Sequence, residues 1–288
     1  NPDKLLFPEA GLTKRDLALY FVTIASWIVP HLYERPLTLL RCPDGWNKPC
    51  FYQKHADDNV PGAITRVTVR DSEGPSLYMM ANSTSAVVAL VQMGALEIHP
   101  WGSRTPKLGR PDRIIFDLDP DEAVGWDEIS EAAKVMKTLL DHLGLRVFLK
   151  TTGGKGLHLV IPIRPTQPWK EIKGFSQSVA QLLVNTFPDR FTAKILRASR
   201  RGKIFIDYLR NAEGATAIAP YSIRARAHAP IATPIDWSEL ASDVRFDHFK
   251  VANLPARLNT LKSDPWADLT TIKQSVTRAM MKAVGYRR

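Results

Sequence analysis

The chain has 288 residues and only two cysteines, Cys42 and Cys50. Two are too few for a disulfide framework and they do not make a C-x-x-C pair, so a reducing compartment is the default expectation. It has no run approaching the roughly 18 uncharged apolar residues that a membrane span needs. The most apolar early stretch, from Leu17 to Pro30, carries Thr23 and Ser26 and has no cleavage-site pattern. Internal repeats and low-complexity tracts are also absent, which excludes solenoids and linker-like chains. Acidic residues are scarce relative to basic ones: 29 Asp and Glu against 39 Lys and Arg give a formal net charge of +10. That excess favours a polyanionic partner, such as nucleic acid or an anionic surface. With 44% hydrophobic and 24% charged residues, the composition is that of a folded globular protein. The chain starts at Asn1 without a Met, and we expect a segment excised from a longer polypeptide.

The apolar pattern predicts a helix over 13–29, with Thr13 as N-cap and Asp16 in its first turn. Strands are expected at 37–40, 50–53, 63–69 and 77–80, with a helix at 83–93. The second half is more regular. A strand at 113–119 is followed by a helix at 126–143, whose Ile129, Ala132, Val135, Met136, Leu139, Leu140 and Leu143 keep the 3.6-residue period and which Gly144 stops. Strands at 146–151 and 157–163 flank a glycine-rich turn. A helix at 168–187, with Pro168 near its first turn, and a strand at 203–209 complete the series. This β-α-β-β-α-β order is the split βαβ plan of ferredoxin-like and RRM-like domains, an α+β class. We expect an N-terminal α/β module over 1–110 and an RRM-like catalytic module over 111–288 with a mainly helical tail from Asp236.

Asp117 and Asp119 sit two apart in an apolar strand, so both point to one face while Phe116 and Leu118 point to the other. Like charges this close repel unless a cation lies between them, and oxygen-only ligands suit Mg²⁺ or Mn²⁺. The plainer alternative is that one or both acids cap the turn into Asp121 and Glu122. Asp207 interrupts a second apolar strand, where a charge is costly unless paired. In the split βαβ plan these strands can bring all three carboxylates together. Such a trio is suited to holding two cations about 3.5–4 Å apart for phosphoryl chemistry.

Thr151 to His158 forms a small-residue loop whose backbone N–H groups can approach phosphate oxygens, with Thr152, Gly153, Lys155 and His158 as its chemical members. Its spacing is not that of a Walker A loop, and a plain glycine-rich hairpin is the alternative. Downstream, Arg224, Arg226 and His228 alternate with small residues and read as a basic row on one strand face, with Arg210 just after the third acid. A solvated strand face would look the same.

In this order, these motifs resemble the archaeo-eukaryotic primase-polymerase superfamily, most closely the polymerase domain of bacterial ligase D, the non-homologous end-joining enzyme. The resemblance covers nearly the whole chain. It implies a primase-polymerase fold and nucleotidyl transfer from NTPs or dNTPs to a primer 3′-hydroxyl. Two divalent cations, preferably Mn²⁺ with Mg²⁺ as the alternative, would be held by Asp117, Asp119 and Asp207. Thr152, Gly153, Lys155, His158, Arg210, Arg224 and Arg226 would hold the incoming triphosphate. Lys4 and Lys14 would grip the 5′-phosphate of a DNA end, and Phe51, Tyr52 and Lys54 would meet the template. His99 lies in a family-like segment without a defined role. Thr152 replaces the family's usual Ser, which adds a methyl beside the phosphate. Implied partners are DNA ends, ligase and nuclease modules of the same polypeptide, and Ku, in the bacterial cytoplasm at the nucleoid, with no membrane. The rival readings are a haloacid-dehalogenase-type phosphatase, because F-D-L-D also opens that family, and a non-catalytic nucleic-acid binder.

Overall fold

In the computed structural model, which describes residues 1–71, 74–241 and 244–286, the elements run in chain order as follows. The first stretch holds β1 (Leu5–Phe7), β2 (Leu12–Thr13), α1 (Lys14–Thr23), α2 (Ala25–Leu32), β3 (Leu37–Arg41), β4 (Phe51–Gln53), β5 (Thr65–Asp71), β6 (Gly74–Met80), α3 (Thr84–Gln92) and β7 (Ala95–Pro100). Then come β8 (Arg113–Pro120), α4 (Trp126–His142), β9 (Phe148–Thr151), β10 (Leu157–Pro162), α5 (Trp169–Thr186), β11 (Phe191–Thr192), β12 (Ile204–Asp207), β13 (Pro234–Ile235), α6 (Leu254–Thr260) and α7 (Arg278–Ala283). They form two units, each discontinuous in sequence. The first comprises Asn1–Thr105, Thr216–Thr233 and Asp247–Lys262, and the second Pro106–Ala215, Pro234–Phe246 and Ser263–Arg288. No helix among the described residues is long and apolar enough to cross a membrane.

The second unit is built on a six-stranded sheet in the order β11-β12-β8-β10-β9-β13. Its four middle strands are the split βαβ set, so the first and last strands of that set, β8 and β12, lie side by side and antiparallel. Two helices supply the apolar cover. α4 buries Ile129, Ala132, Met136 and Leu140 along one stripe, and α5 buries Ile172, Phe175, Val179 and Leu183. Both stripes follow the 3.6-residue period that a helix needs to keep one face on a sheet. Phe116, Leu118, Leu159 and Ile206 are all fully buried on the strands. Asn211 ties the sheet to the turn beyond β12: its amide donates to the Ile115 carbonyl (2.8 Å) and its Oδ1 accepts from the Ile115 N–H (2.8 Å).

The first unit carries a sheet in the order β4-β3-β6-β5, with β7 also paired to β3, and a small β1-β2 pair. Thr13 caps α1 as expected, in a reciprocal box with Asp16. The single helix expected over 13–29 is instead two, because Ile24 leaves the helical region (φ −102°, ψ 15°). The second helix also runs on past Pro30, whose missing N–H it tolerates near its end. Cys42 and Cys50 are joined in one disulfide, which closes the loop between β3 and β4.

Three further expectations change. The strand expected at 203–209 ends at Asp207, because Leu209–Asn211 turns into a 3-10 helix and the Leu209 N–H donates to Asp207 Oδ1 (2.9 Å). The tail is less helical than expected: α6 and α7 are separated by irregular chain and one 3-10 turn at Ala267–Thr270. Finally, Arg224, Arg226 and His228 do not share a strand face. The Arg226 N–H donates to the Arg224 carbonyl (2.8 Å) and the Ala229 N–H to the Arg226 carbonyl (3.1 Å), so the segment turns. His228 and Ala229 there have φ of 63° and 49°.

Candidate active site

The carboxylates are placed by strand register. Asp207 on β12 is the direct partner of Asp117 on β8, and across the sheet Asp117 pairs with His158 on β10 and His158 with Lys150 on β9. Side chains directly opposite in neighbouring strands share a face, so four strands present a continuous row of acid, acid, histidine and lysine. Asp119 lies two residues along β8 on that same face. Along β8, burial alternates around the pair: Phe116 and Leu118 are fully buried, Asp117 is half-buried and Asp119 exposed.

The row is laced by cations. Arg210 reaches both neighbouring acids, at 3.0 Å from Asp207 Oδ2 and 3.6 Å from Asp117 Oδ2. Arg200 donates to Asp119 Oδ2 (3.3 Å) and lies 3.7 Å over the Phe205 ring. Burial by itself would raise Asp117, but His158, Arg210 and Lys150 outweigh it and hold the carboxyl well below the usual range. Burial and the neighbouring Asp117 raise Asp119. Asp207 is likewise raised by burial, against the pull of Arg210. Negative charge is thus still under-compensated at two of the three acids. Burial and the Lys150 charge push His158 down to about 4, so near neutrality its ring is uncharged and its Nε2–H donates to Asp117 Oδ1 (3.3 Å). Its Nδ1 is buried with no hydrogen-bond partner among the described residues.

The glycine-rich turn abuts this row. A Cβ on Gly156 would meet the Leu118 carbonyl oxygen at 2.8 Å and both Asp117 Oδ1 and Thr152 Oγ1 at 3.4 Å, so the close approach requires glycine. Gly153 has φ +67°, a conformation glycine adopts freely. The Thr152 hydroxyl organises the turn: it donates to the Gly156 carbonyl (3.0 Å) and accepts from the N–H groups of Gly154 (3.3 Å) and Gly156 (3.2 Å). Lys155 at the tip is exposed.

This unit therefore brings together Asp117, Asp119, Asp207, Thr152, Gly153, Lys155, His158 and Arg210. The remaining candidates belong to the first unit. Lys4 pairs with Asp44, and Lys14 donates to the Gln92 carbonyl (3.1 Å). Burial, then Lys4 and Arg41, lower the Lys14 pKa, which shows three cations gathered at one place. Phe51 and Tyr52 lie on the edge strand β4, 47% and 64% exposed, so neither is a half-buried core aromatic. Arg41 lies 5.2 Å over the Phe51 ring, and Tyr52 meets His99 edge-on at 6.0 Å. Lys54 and Arg226 are exposed. Arg224 is half-buried, with its Nε 3.0 Å from Glu97 Oε1. Sequence reasoning missed Arg41, Glu97, Lys150 and Arg200. A lysine before the glycine-rich turn and an acid two residues before His99 were the only signals for Lys150 and Glu97.

Residues 13–266 match the family model for the LigD primase-polymerase domain. The chain belongs to that family. Its members are DNA-directed nucleotidyltransferases, and the phosphatase and non-catalytic readings are not favoured. The multifunctional non-homologous end joining protein LigD of Pseudomonas aeruginosa is 41% identical over 99% of this chain and 34% of its own length. The bifunctional LigD of Bacillus subtilis is 33% identical over 84% of this chain and 39% of its length. The chain thus spans about a third of the curated relatives it matches. A solved polymerase domain of Mycobacterium tuberculosis ligase D, in complex with DNA, superposes with a TM-score of 0.87 at 32% identity, covering 94% of this chain and 96% of that one. The primase-polymerase fold expected from the motifs is therefore the fold of this chain.

Proposed function

We propose that the chain is a repair polymerase module of bacterial non-homologous end joining. It adds NTPs or dNTPs to a primer 3′-hydroxyl at a double-strand break, with or without template. The observation that supports this most is the register that sets Asp207 beside Asp117, with Asp119 on the same face and a glycine-rich turn next to them.

Three carboxylates on one sheet face fit hard divalent cations, Mn²⁺ or Mg²⁺, and two of them carry charge that their neighbours leave under-compensated. Among the described residues no three His, Cys, Asp or Glu groups are already drawn into a ligand cage. Arg210 and Arg200 pair with these carboxylates, and both would have to yield for Asp117, Asp119 and Asp207 to take up cations. Asp117, Asp119 and Asp207 would hold such cations, which when bound would supply a lowered pKa for the attacking hydroxyl and charge neutralisation for the leaving pyrophosphate. Asp207, raised by burial, is the acid best suited to accept the 3′-hydroxyl proton. His158 would lie against the nucleotide, and the backbone at Gly153, with Lys155 and Arg210, would take phosphate oxygens. In the first unit, Arg224 and Arg226 would contact triphosphate oxygens.

In the first unit, Lys4, Lys14 and Arg41 would hold a 5′-phosphate, while exposed Phe51 and Tyr52, with Lys54, stack on and steady template nucleotides. The cellular setting would be the bacterial nucleoid, in one polypeptide with ligase and nuclease modules and with Ku at the DNA end. Primer extension in Mn²⁺ with Asp117→Ala and Asp207→Ala is the test. Loss of nucleotide addition in both supports the reading, and near-normal addition in both overturns it.

A further inference from the structure

Glu97 is a buried carboxylate, 3% exposed, on β7. No motif pointed to it, and the nucleotidyl-transfer chemistry makes no direct use of it. Its oxygens are saturated by donors from two segments. Oε1 accepts from Arg224 Nε (3.0 Å) and from the Ala225 N–H (2.9 Å), and Oε2 lies 2.9 Å from His99 Nε2. Burial opposes its ionisation, but His99 and Arg224 hold it down to about 2, so it is an anion at neutral pH. Of these partners, Arg224 is one that the resemblance places at the triphosphate, and His99 lies in a family-like segment without a defined role.

The segment carrying Arg224 is stitched to β7 at successive residues. Next to Glu97, the Ile98 N–H donates to the buried Ser222 hydroxyl (3.0 Å) and the Ile98 carbonyl accepts from the Ala219 N–H (2.9 Å). The same segment holds non-glycine residues in left-handed backbone: Tyr221 at φ 65°, His228 at 63° and Ala229 at 49°. Such conformations cost on the order of 1–3 kcal/mol each and persist only where surrounding contacts over-determine them, a pattern concentrated at functional sites. A bond to Arg Nε sets the plane of the guanidinium fork, and hence the directions in which its terminal nitrogens can donate. An anion at His Nε2 selects the tautomer with the proton on that nitrogen.

We propose that Glu97 is a positioning residue for nucleotide recognition, setting the Arg224 guanidinium and the His99 tautomer together so that the pair meets the triphosphate already oriented. The inference rests on the nucleotide-binding role proposed above for Arg224. A buried acid with only a structural role would affect folding without changing nucleotide affinity separately from it.

The test measures NTP affinity by calorimetry, NTP KM and kcat in primer extension, and the His99 tautomer by ring nitrogen NMR. Glu97→Gln keeps the size but loses the charge. It should weaken NTP binding and raise KM roughly ten- to a hundredfold, the range for losing a charge-assisted hydrogen bond, with a smaller effect on kcat. It should also shift the His99 tautomer. Glu97→Asp, which keeps the charge with a shorter reach, should restore part of the affinity. On an Arg224→Ala background, Glu97→Gln should add little, because the two act as a unit. If Glu97→Gln unfolds, Glu97→Asp carries the same measurements. The proposal is overturned if the charge-neutral variant keeps wild-type NTP affinity and tautomer, or if its loss adds fully to that of Arg224→Ala. If Arg224→Ala leaves affinity unchanged while Asp117→Ala abolishes primer extension, the Glu97 proposal fails and the polymerase reading survives. If wild-type protein extends no primer, that reading fails, and binding and tautomer data still decide the role of Glu97.

Discussion

Two carboxylates on apolar strands, buried Glu97 in one unit and half-buried Asp117 in the other, show how differently the same group can be used. Glu97 is saturated: Arg224 and Ala225 from a neighbouring segment and His99 from its own strand surround it and hold it ionised. Asp117 is held ionised as well, but its neighbours Asp119 and Asp207 are raised, so its surroundings still repel their own charge. A saturated acid organises other side chains, whereas an under-compensated cluster attracts cations. A carboxylate in an apolar strand is therefore not by itself a sign of a metal ligand, and the balance of its neighbours separates the two uses.

The largest expected effect tests the cluster side of this contrast. Asp117→Ala and Asp207→Ala should each lower nucleotide addition on the order of a thousandfold while leaving the circular dichroism spectrum intact, as expected when electrostatic stabilisation of the reacting phosphate is removed. Equal activity in the variants would place the chemistry elsewhere. Next, Gly156→Ala forces a methyl against the Leu118 carbonyl at 2.8 Å. It should cost about 1–3 kcal/mol of stability and raise NTP KM, read by thermal melting and steady-state kinetics. An unchanged KM would detach the glycine turn from the nucleotide.

The cations of the first unit come third. Lys4→Ala and Lys14→Ala should each weaken binding of a 5′-phosphorylated DNA end roughly tenfold and lower the salt slope by about one, with little change for a 5′-hydroxyl end. Equal losses for both ends would show a general backbone contact instead. The smallest effect is on stability. Because Asp119 is raised in the fold, its carboxylate favours the folded state least once ionised, and its contribution is lost as pH rises through the ordinary carboxylate range. In chelator, Asp119→Asn should therefore melt at a higher temperature than wild type near neutrality, with the gap closing toward about pH 4. For Glu97 the sign is opposite: its folded-state pKa is depressed to about 2, so its contribution is present above the ordinary glutamate range and lost only in strong acid.

The catalytic sheet was legible because its signals are local. The alternation around Asp117 and Asp119, the helix periods of α4 and α5 and the glycine turn each lie within a short stretch of chain. Their order also specifies the split βαβ set, which puts β8 beside β12. The remaining features were not local. Arg200 meets Asp119 across 81 residues of chain and Arg224 meets Glu97 across 127, separations that no periodicity encodes. The basic alternation from Arg224 to His228 suggested a strand because strands and extended turns both space charges two apart. Only the contacts of Arg224 and Arg226 with their own backbone reveal the turn. The short strands β11 and β13 have two residues each, too few to carry a pattern.

The most direct test of the central claim is Mn²⁺ binding followed by electron paramagnetic resonance in the presence of an NTP, on wild-type protein and on Asp207→Asn. The carboxylates of β8 and β12 should hold manganese in the wild type, and the single change on β12 should release most of it while the fold and the Asp117 strand persist. Undiminished manganese binding by Asp207→Asn would contradict the shared site and, with it, the assignment of these strands to nucleotidyl transfer.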